Sequence, residues 1–107
     1  MDEMEMLYFE IITNVGDARS SFIQAISAAK KGDFAEAEEL ILAGEKSFVK
    51  GHHKHSELLQ KEAAGEQVPF SLMLLHVEDQ LMSAETFKIL SKEFIDVYRA
   101  LGNNATS

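Results

Sequence analysis

An all-α fold, an antiparallel up-down-up bundle of three helices, is what this sequence predicts, and three observations carry the expectation. Proline occurs once in 107 residues while Ala, Leu, Glu and Lys are abundant, a helix-forming composition. Apolar residues recur at alternating steps of four and three, the period of helices packed nearly parallel to their neighbours. The pattern breaks at two places, Gly32 and the Gly65–Pro69 stretch, which divide it into three long rods joined by short turns.

The first helix is expected over about residues 4–31. Its seam is Met4, Tyr8, Ile11, Val15, Ala18, Phe22, Ala25 and Ala29. Gly32 ends it, and Asp33 starts the next helix as an N-cap, with Glu36 three residues on in a capping-box-like D-x-x-E. The second helix, over about 34–62, runs through Ala37, Leu40, Ile41, Phe48 and Leu58. The stretch AAGEQVPF then breaks the chain. A third helix is expected over about 70–101, with Gly102 as its C′ residue and 102–107 as a frayed tail. Rods of nearly 30 residues span about 45 Å each at 1.5 Å per residue. The third helix is apolar on more than one face: Leu74, Val77 and Leu81 make one stripe, while Leu72, Met73, Leu75 and Met82 point elsewhere. A helix apolar all round is buried all round, so self-association is expected.

Length and charge bound the function. Residues 1–107 fit one domain. Ten Lys and Arg against eighteen Asp and Glu give a net charge of −8 and a pI near 4.9. A nucleic-acid binder needs basic patches, and an anionic membrane surface would repel this chain; neither partner is expected. The hydrophobic share of 46% is enough for a packed core. There is no Cys, which excludes disulfides, thiolate metal sites and thiol nucleophiles. The opening MDEMEM is acidic where a signal peptide is basic, and no long apolar run follows. A soluble cytoplasmic protein is the simplest expectation.

Little conventional chemistry is present. No Gly-rich phosphate loop, H-E-x-x-H or E-x-x-H pair occurs, so nucleotide, zincin and di-iron readings fail. GDFAEAEEL at Gly32–Leu40 is similar to one helix start of a tetratricopeptide repeat, but no 34-residue repeat accompanies it. His52, His53 and His55 form the run GHHKHS, in which His52 and His55 share a face at a spacing that can bind Zn²⁺. No third ligand lies nearby, so a solvated or interface cluster is the expected reading. His76 stands in FSLMLLHVEDQLMSAE with apolar residues before it and acids after it. Asp79 and Gln80 follow it by three and four residues, one helical turn on, and Ser83 extends the stripe. A neutral imidazole is a good nucleophile and carries a phosphoryl group as a phosphoramidate.

At this point the chain resembles the IIA proteins of the lactose/cellobiose (also diacetylchitobiose) family of the bacterial sugar phosphotransferase system. The resemblance runs from about Leu7 to Leu101 and rests on VGDARS at Val15–Ser20, KKGDFAEAEEL at Lys30–Leu40, and KEAAGEQVPFSLMLLHVEDQLM at Lys61–Met82. The family's H-x-x-D-x-L-M setting maps onto His76, Asp79, Leu81 and Met82. The resemblance implies a homotrimer of three-helix bundles. It implies that His76 accepts a phosphoryl group from HPr and passes it to a cysteine of the cognate IIB, with Gln80 and Met73 lining the site. It also implies that Asp79 lies near the threefold axis, where three copies hold a divalent cation such as Mg²⁺. Lactose, cellobiose and diacetylchitobiose remain equally open as the sugar, because specificity belongs to the membrane component.

Three departures from the family pattern stand out. Gln80 replaces a second histidine, so it can hydrogen-bond but carries no charge. Glu78, about 100° around the helix from Asp79, is expected to face solvent. His55 and Ser56 stand where the family often has Gln-Thr. A different class of function, a helical interaction module gripping a partner peptide, is the alternative that GDFAEAEEL offers. A histidine phosphotransfer domain is disfavoured, since Val-Glu-Asp follows His76 where such domains usually place a basic residue.

Overall fold

A computed structural model describes the backbone of residues 1–106 and the side chains of residues 1–102. Three helices follow one another: α1 (Glu3–Lys30), α2 (Phe34–Ala63) and α3 (Leu72–Thr106). Each start has a local cause. Asp2 caps α1 by accepting from the Glu5 N–H at 2.8 Å, and that donor holds its carboxyl below the usual carboxylate range. Asp33 caps α2 by accepting from the Glu36 N–H at 3.1 Å. Ser71 caps α3, its Oγ accepting from the Leu74 N–H at 3.0 Å.

Two helix ends repeat one device. After α1, the Gly32 N–H reaches the Ala29 carbonyl and the Asp33 N–H reaches that of Ala28, both at 3.0 Å. After α2, Gly65 and Glu66 do the same toward Glu62 and Lys61, at 3.1 and 3.0 Å. These are Schellman turns, and they need a left-handed residue, which is why glycine sits at φ +84° and +85°. The third helix behaves differently. Gly102 does not cap it at 101: the helix continues through Gly102 to Thr106, so the expected frayed tail from 102 is helical as far as Thr106. No proline or second breaker follows to stop propagation, and Gly102 takes no positive φ. Ser107 lies outside the described residues.

The α1 seam is buried as the spacing predicts, from Tyr8 to Ala29, with Met4 packed at its edge. The α2 stripe is Ala37, Ile41, Gly44, Phe48, Gly51, His55 and Leu58, again in steps of four and three. On α3 the buried stripe is Val77, Leu81, Ala84, Ser91 and Ile95, with Leu74 and Tyr98 half-buried on it. Ion pairs report the directions. Lys54 meets Glu10 at 3.3 Å, while Lys92 meets Glu45 at 3.3 Å and Arg99 meets Glu38 at 3.0 Å. Rising numbers on one helix match falling numbers on the next, so the bundle runs up, down, up. It measures 60 × 22 × 20 Å, and α1 packs closely on both partners while α2 and α3 share the smallest interface.

Two glycines set the approach of α1 and α2. A Cβ on Gly44 would lie 2.6 Å from Phe22 Cε1, and one on Gly51 2.6 Å from Val15 Cγ2. Val15 is fully buried and its methyl sits one bond from a β-branched carbon, so it cannot swing aside. Gly51→Ala therefore gains about 1 kcal/mol of helix propensity but meets an overpacking cost of about 1–3 kcal/mol. A net loss is expected, read as a melting temperature lower by several degrees, and Val15→Ala in the same chain should recover part of it.

Candidate functional site

Everything the sequence singled out on the third helix lies in its first three turns. Ser71 fixes the start, with the Leu75 N–H also reaching the Ser71 carbonyl at 3.2 Å. Across the loop from Ser71, burial and then the charge of Asp2 push the Tyr8 hydroxyl above its ordinary value. The first turn of α3 carries no acidic residue, unlike those of α1 and α2, so no side-chain carboxylate offsets the positive end of its dipole.

His76 lies in the second turn and is exposed. It shares one stripe with Met73, Gln80, Ser83 and Phe87, at steps of three and four. Met73 is exposed, while Gln80, Ser83 and Phe87 are half-buried. The Arg19 guanidinium lies 5.1 Å from the Phe87 ring centre, a cation–π contact from α1, and its buried Nε has no hydrogen-bond partner. The sequence places apolar residues before His76 and puts Asp79 and Gln80 one helical turn after it. The structure shows His76 open to solvent, with no hydrogen bond to Asp79 or Gln80. The roll of α3 is responsible: Val77 points into the core, and that turns His76 outward on one side.

Asp79 occupies the adjoining stripe. It is exposed between Leu75 and Met82, both also exposed, and makes no ion pair among the described residues. This outer surface of α3 is strongly apolar. Leu72 is 82% exposed and Met82 67%, and Ile89, Leu90, Phe94 and Val97 continue the exposed surface toward the far end.

The histidine run of α2 does not behave as one group. His52 lies against the Phe48 ring with centroids 6.1 Å apart, and His53 is exposed. His55 is buried, and its Nε2 lies 2.7 Å from Glu78 Oε1. Of the two alternatives for the run, His55 takes the interface one, and Glu78, though its side chain stays 45% exposed, turns one oxygen to it across the α2–α3 interface. No group of three or more His, Asp and Glu gathers to hold a metal among the described residues. Reading α2 for apolar residues alone missed His55, Gly44 and Gly51. The unbroken four-three stepping from Ala37 to Leu58 was the signal that could have found them.

Comparison with known proteins follows the same lines. Residues 6–99 match the family described as the lactose/cellobiose-specific IIA subunit of the phosphotransferase system. The chain is 40% identical over 100 residues to the lichenan-specific phosphotransferase enzyme IIA component of Bacillus subtilis, covering 94% of this chain and 91% of that one. Its fold superposes on the cellobiose-specific enzyme IIA of Bacillus anthracis with a TM-score of 0.94, at 41% identity, covering 96% and 94% of the two chains. A TM-score of 0.81 at 28% identity relates it to IIA(Chitobiose) in the solution structure of the IIA(Chitobiose)–HPr complex of the Escherichia coli phosphotransferase system, covering 95% and 99%. With nearly its whole length matched and all three helices in common, this chain belongs to the lactose/cellobiose-specific IIA family of the phosphotransferase system.

Proposed function

We propose that this protein is a phosphoryl carrier in which His76 takes a phosphoryl group from phospho-HPr and yields it to a cysteine of the cognate IIB, in the cytoplasm, during uptake of a β-linked disaccharide. The observation that carries the reading is the placement of His76, exposed and unbonded in the His-x-x-Asp frame on α3. A carrier needs such a group, because two different proteins must reach the same nitrogen in turn. Acceptance breaks the N–P bond of phospho-HPr as an imidazole nitrogen of His76 forms its own. Delivery breaks that bond as the thiolate sulfur attacks phosphorus, and the imidazole nitrogen recovers the electron pair and then a proton. Such transfers depend on in-line positioning and charge stabilisation more than on covalent machinery. Gln80 and Met73, on the His76 stripe, line the site, and the Gln80 amide can donate to a phosphoryl oxygen. The acid-free N-terminal turn of α3 favours the added negative charge. No helix among the described residues is long and apolar enough to cross a membrane.

Three copies meeting along α3 account for its exposed apolar stripes. They would also bring three Asp79 carboxylates together. One chain gathers no three-ligand cluster, so a cation there needs the other copies. An all-oxygen donor set suits a hard ion such as Mg²⁺, which would screen the carboxylates from one another.

Incubation with HPr, enzyme I and phosphoenolpyruvate, followed by intact mass, tests the carrier reading. A gain of one phosphoryl group per chain is expected; no gain leaves a helical interaction module instead. Replacing His52 and His53 together with Gln should leave the rate within about threefold, since neither lies on α3. A loss above about 10²-fold, roughly 2.7 kcal/mol of barrier, would make the run part of the site.

A further inference from the structure

We propose that His55 is a positioning residue for phosphoryl transfer: through Glu78 it fixes the roll of the first turns of α3, and with it the directions of His76 and Asp79. The proposal rests on the carrier reading above.

His55 sits on the buried stripe of α2 between Gly51 and Leu58, with its side chain 9% exposed. Its Nε2 meets Glu78 Oε1 at 2.7 Å. A carboxylate only accepts, so Nε2 carries the hydrogen and donates it, in a charge-assisted bond. Its location gives the bond its effect. α2 and α3 share the smallest interface of the bundle, and their other ion pairs, at Lys92 and Arg99, lie 14 and 21 residues beyond Glu78. At the site end, His55–Glu78 is the polar link between the two helices among the described residues.

Val77 is fully buried at this level, with Leu74 and Leu81 one turn away on the same stripe, and such a one-sided, non-directional apolar contact resists displacement of a helix better than a small rotation about its own axis. His76 and Glu78 flank Val77, each about 100° from it and on opposite sides. A hydrogen bond gripping Glu78 on one flank therefore sets the angle of His76 on the other. With side chains about 5–6 Å from the helix axis, a roll of about 10° moves the imidazole by about 1 Å. Displacements of that size cost group-transfer reactions up to about 10²-fold. His55 grips Glu78, on the flank of α3 opposite His76, so it acts through α3 and not on the reacting atoms.

The test is a time course of phosphoryl acceptance from phospho-HPr, read by intact mass on full-length variants. His55→Ala should lower kcat at least about tenfold with KM for phospho-HPr within about twofold. A chain carrying both His55→Gln and Glu78→Gln, which keeps a hydrogen bond between two amides, should return to within about threefold of wild type. Glu78→Ala, made on the half-exposed partner, should slow transfer as His55→Ala does, and serves if the buried substitution loses its helical signal. Ile41→Ala, toward the other end of α2, should lower the melting temperature while leaving kcat unchanged. Transfer by His55→Ala or Glu78→Ala at the wild-type rate overturns the proposal, as does an equal loss of kcat in Ile41→Ala. If the wild-type chain takes up no phosphoryl group, the carrier reading fails and this proposal with it; normal wild-type uptake beside an unaffected His55→Ala defeats the positioning role alone.

Discussion

Replacing His76 by Ala is expected to abolish phosphoryl acceptance, with a loss of at least about 10³-fold, roughly 4 kcal/mol of barrier. The side chain is exposed and has no hydrogen-bond partner among the described residues, so its removal costs the fold little. Circular dichroism should accordingly be unchanged, and intact mass after incubation with the phosphorylating mixture should show the unmodified chain. On the wild type the linkage should be labile in acid and stable in base, as a phosphoramidate is. A base-labile adduct would point to Asp79 in place of His76. Full labelling of His76→Ala with an acid-labile group would move the acceptor to His52 or His53, the other exposed histidines.

Asp79→Leu should give the largest gain in stability of any single change at the site. In one chain Asp79 is an exposed acid between Leu75 and Met82 on a surface that is otherwise apolar. If three chains meet there, each carboxylate is taken out of water beside two others, an arrangement that costs several kcal/mol per ion before a cation offsets it. Leucine removes the repulsion and adds buried apolar area worth about 1.5–3 kcal/mol per chain. An assembly melting at least about 10 °C higher is the expected result. Chelation should lower the melting temperature of the wild type and leave that of Asp79→Leu unchanged, because only the wild type would hold an ion. Light scattering provides the decisive check. A chain monomeric at micromolar concentration, or one that Asp79→Leu drives apart, would return Asp79 to a role within a single subunit.

The first helix was legible along its seam because every step carries an apolar residue or tyrosine, though Leu7 and Ala28, beside that seam, are buried as well. The second was legible at its ends and obscure in its middle. Gly44, Gly51 and His55 occupy seam positions, and none of them registers as apolar, yet each is buried. Two are small because Phe22 and Val15 need the room, and the third is polar because Glu78 answers it. On the third helix, the frame around His76 singles that residue out as the candidate, and the resemblance implies its chemistry. Its exposure could not be read the same way. Whether His76 turns toward solvent or core depends on the roll of the helix, which contacts from another part of the chain determine. The far end failed for a related reason. A glycine near a terminus stops a helix when the residues after it turn back on the last carbonyls, as Asp33 and Glu66 do, and at Gly102 the helix runs on to Thr106 instead.

Under the proposed assembly, the apolar outer stripes of α3 would make the protein's shape a matter of dosage. A single chain presents Leu72, Met82, Ile89, Leu90, Phe94 and Val97 to water. If three copies meet along α3 as proposed, the covered population scales with the cube of the free-chain concentration. The solitary chain is then the species most open to proteases and to sticking to unrelated surfaces. Under that proposed assembly, expression level, ordinarily a question of how much activity a cell contains, would also govern how long each newly made chain survives.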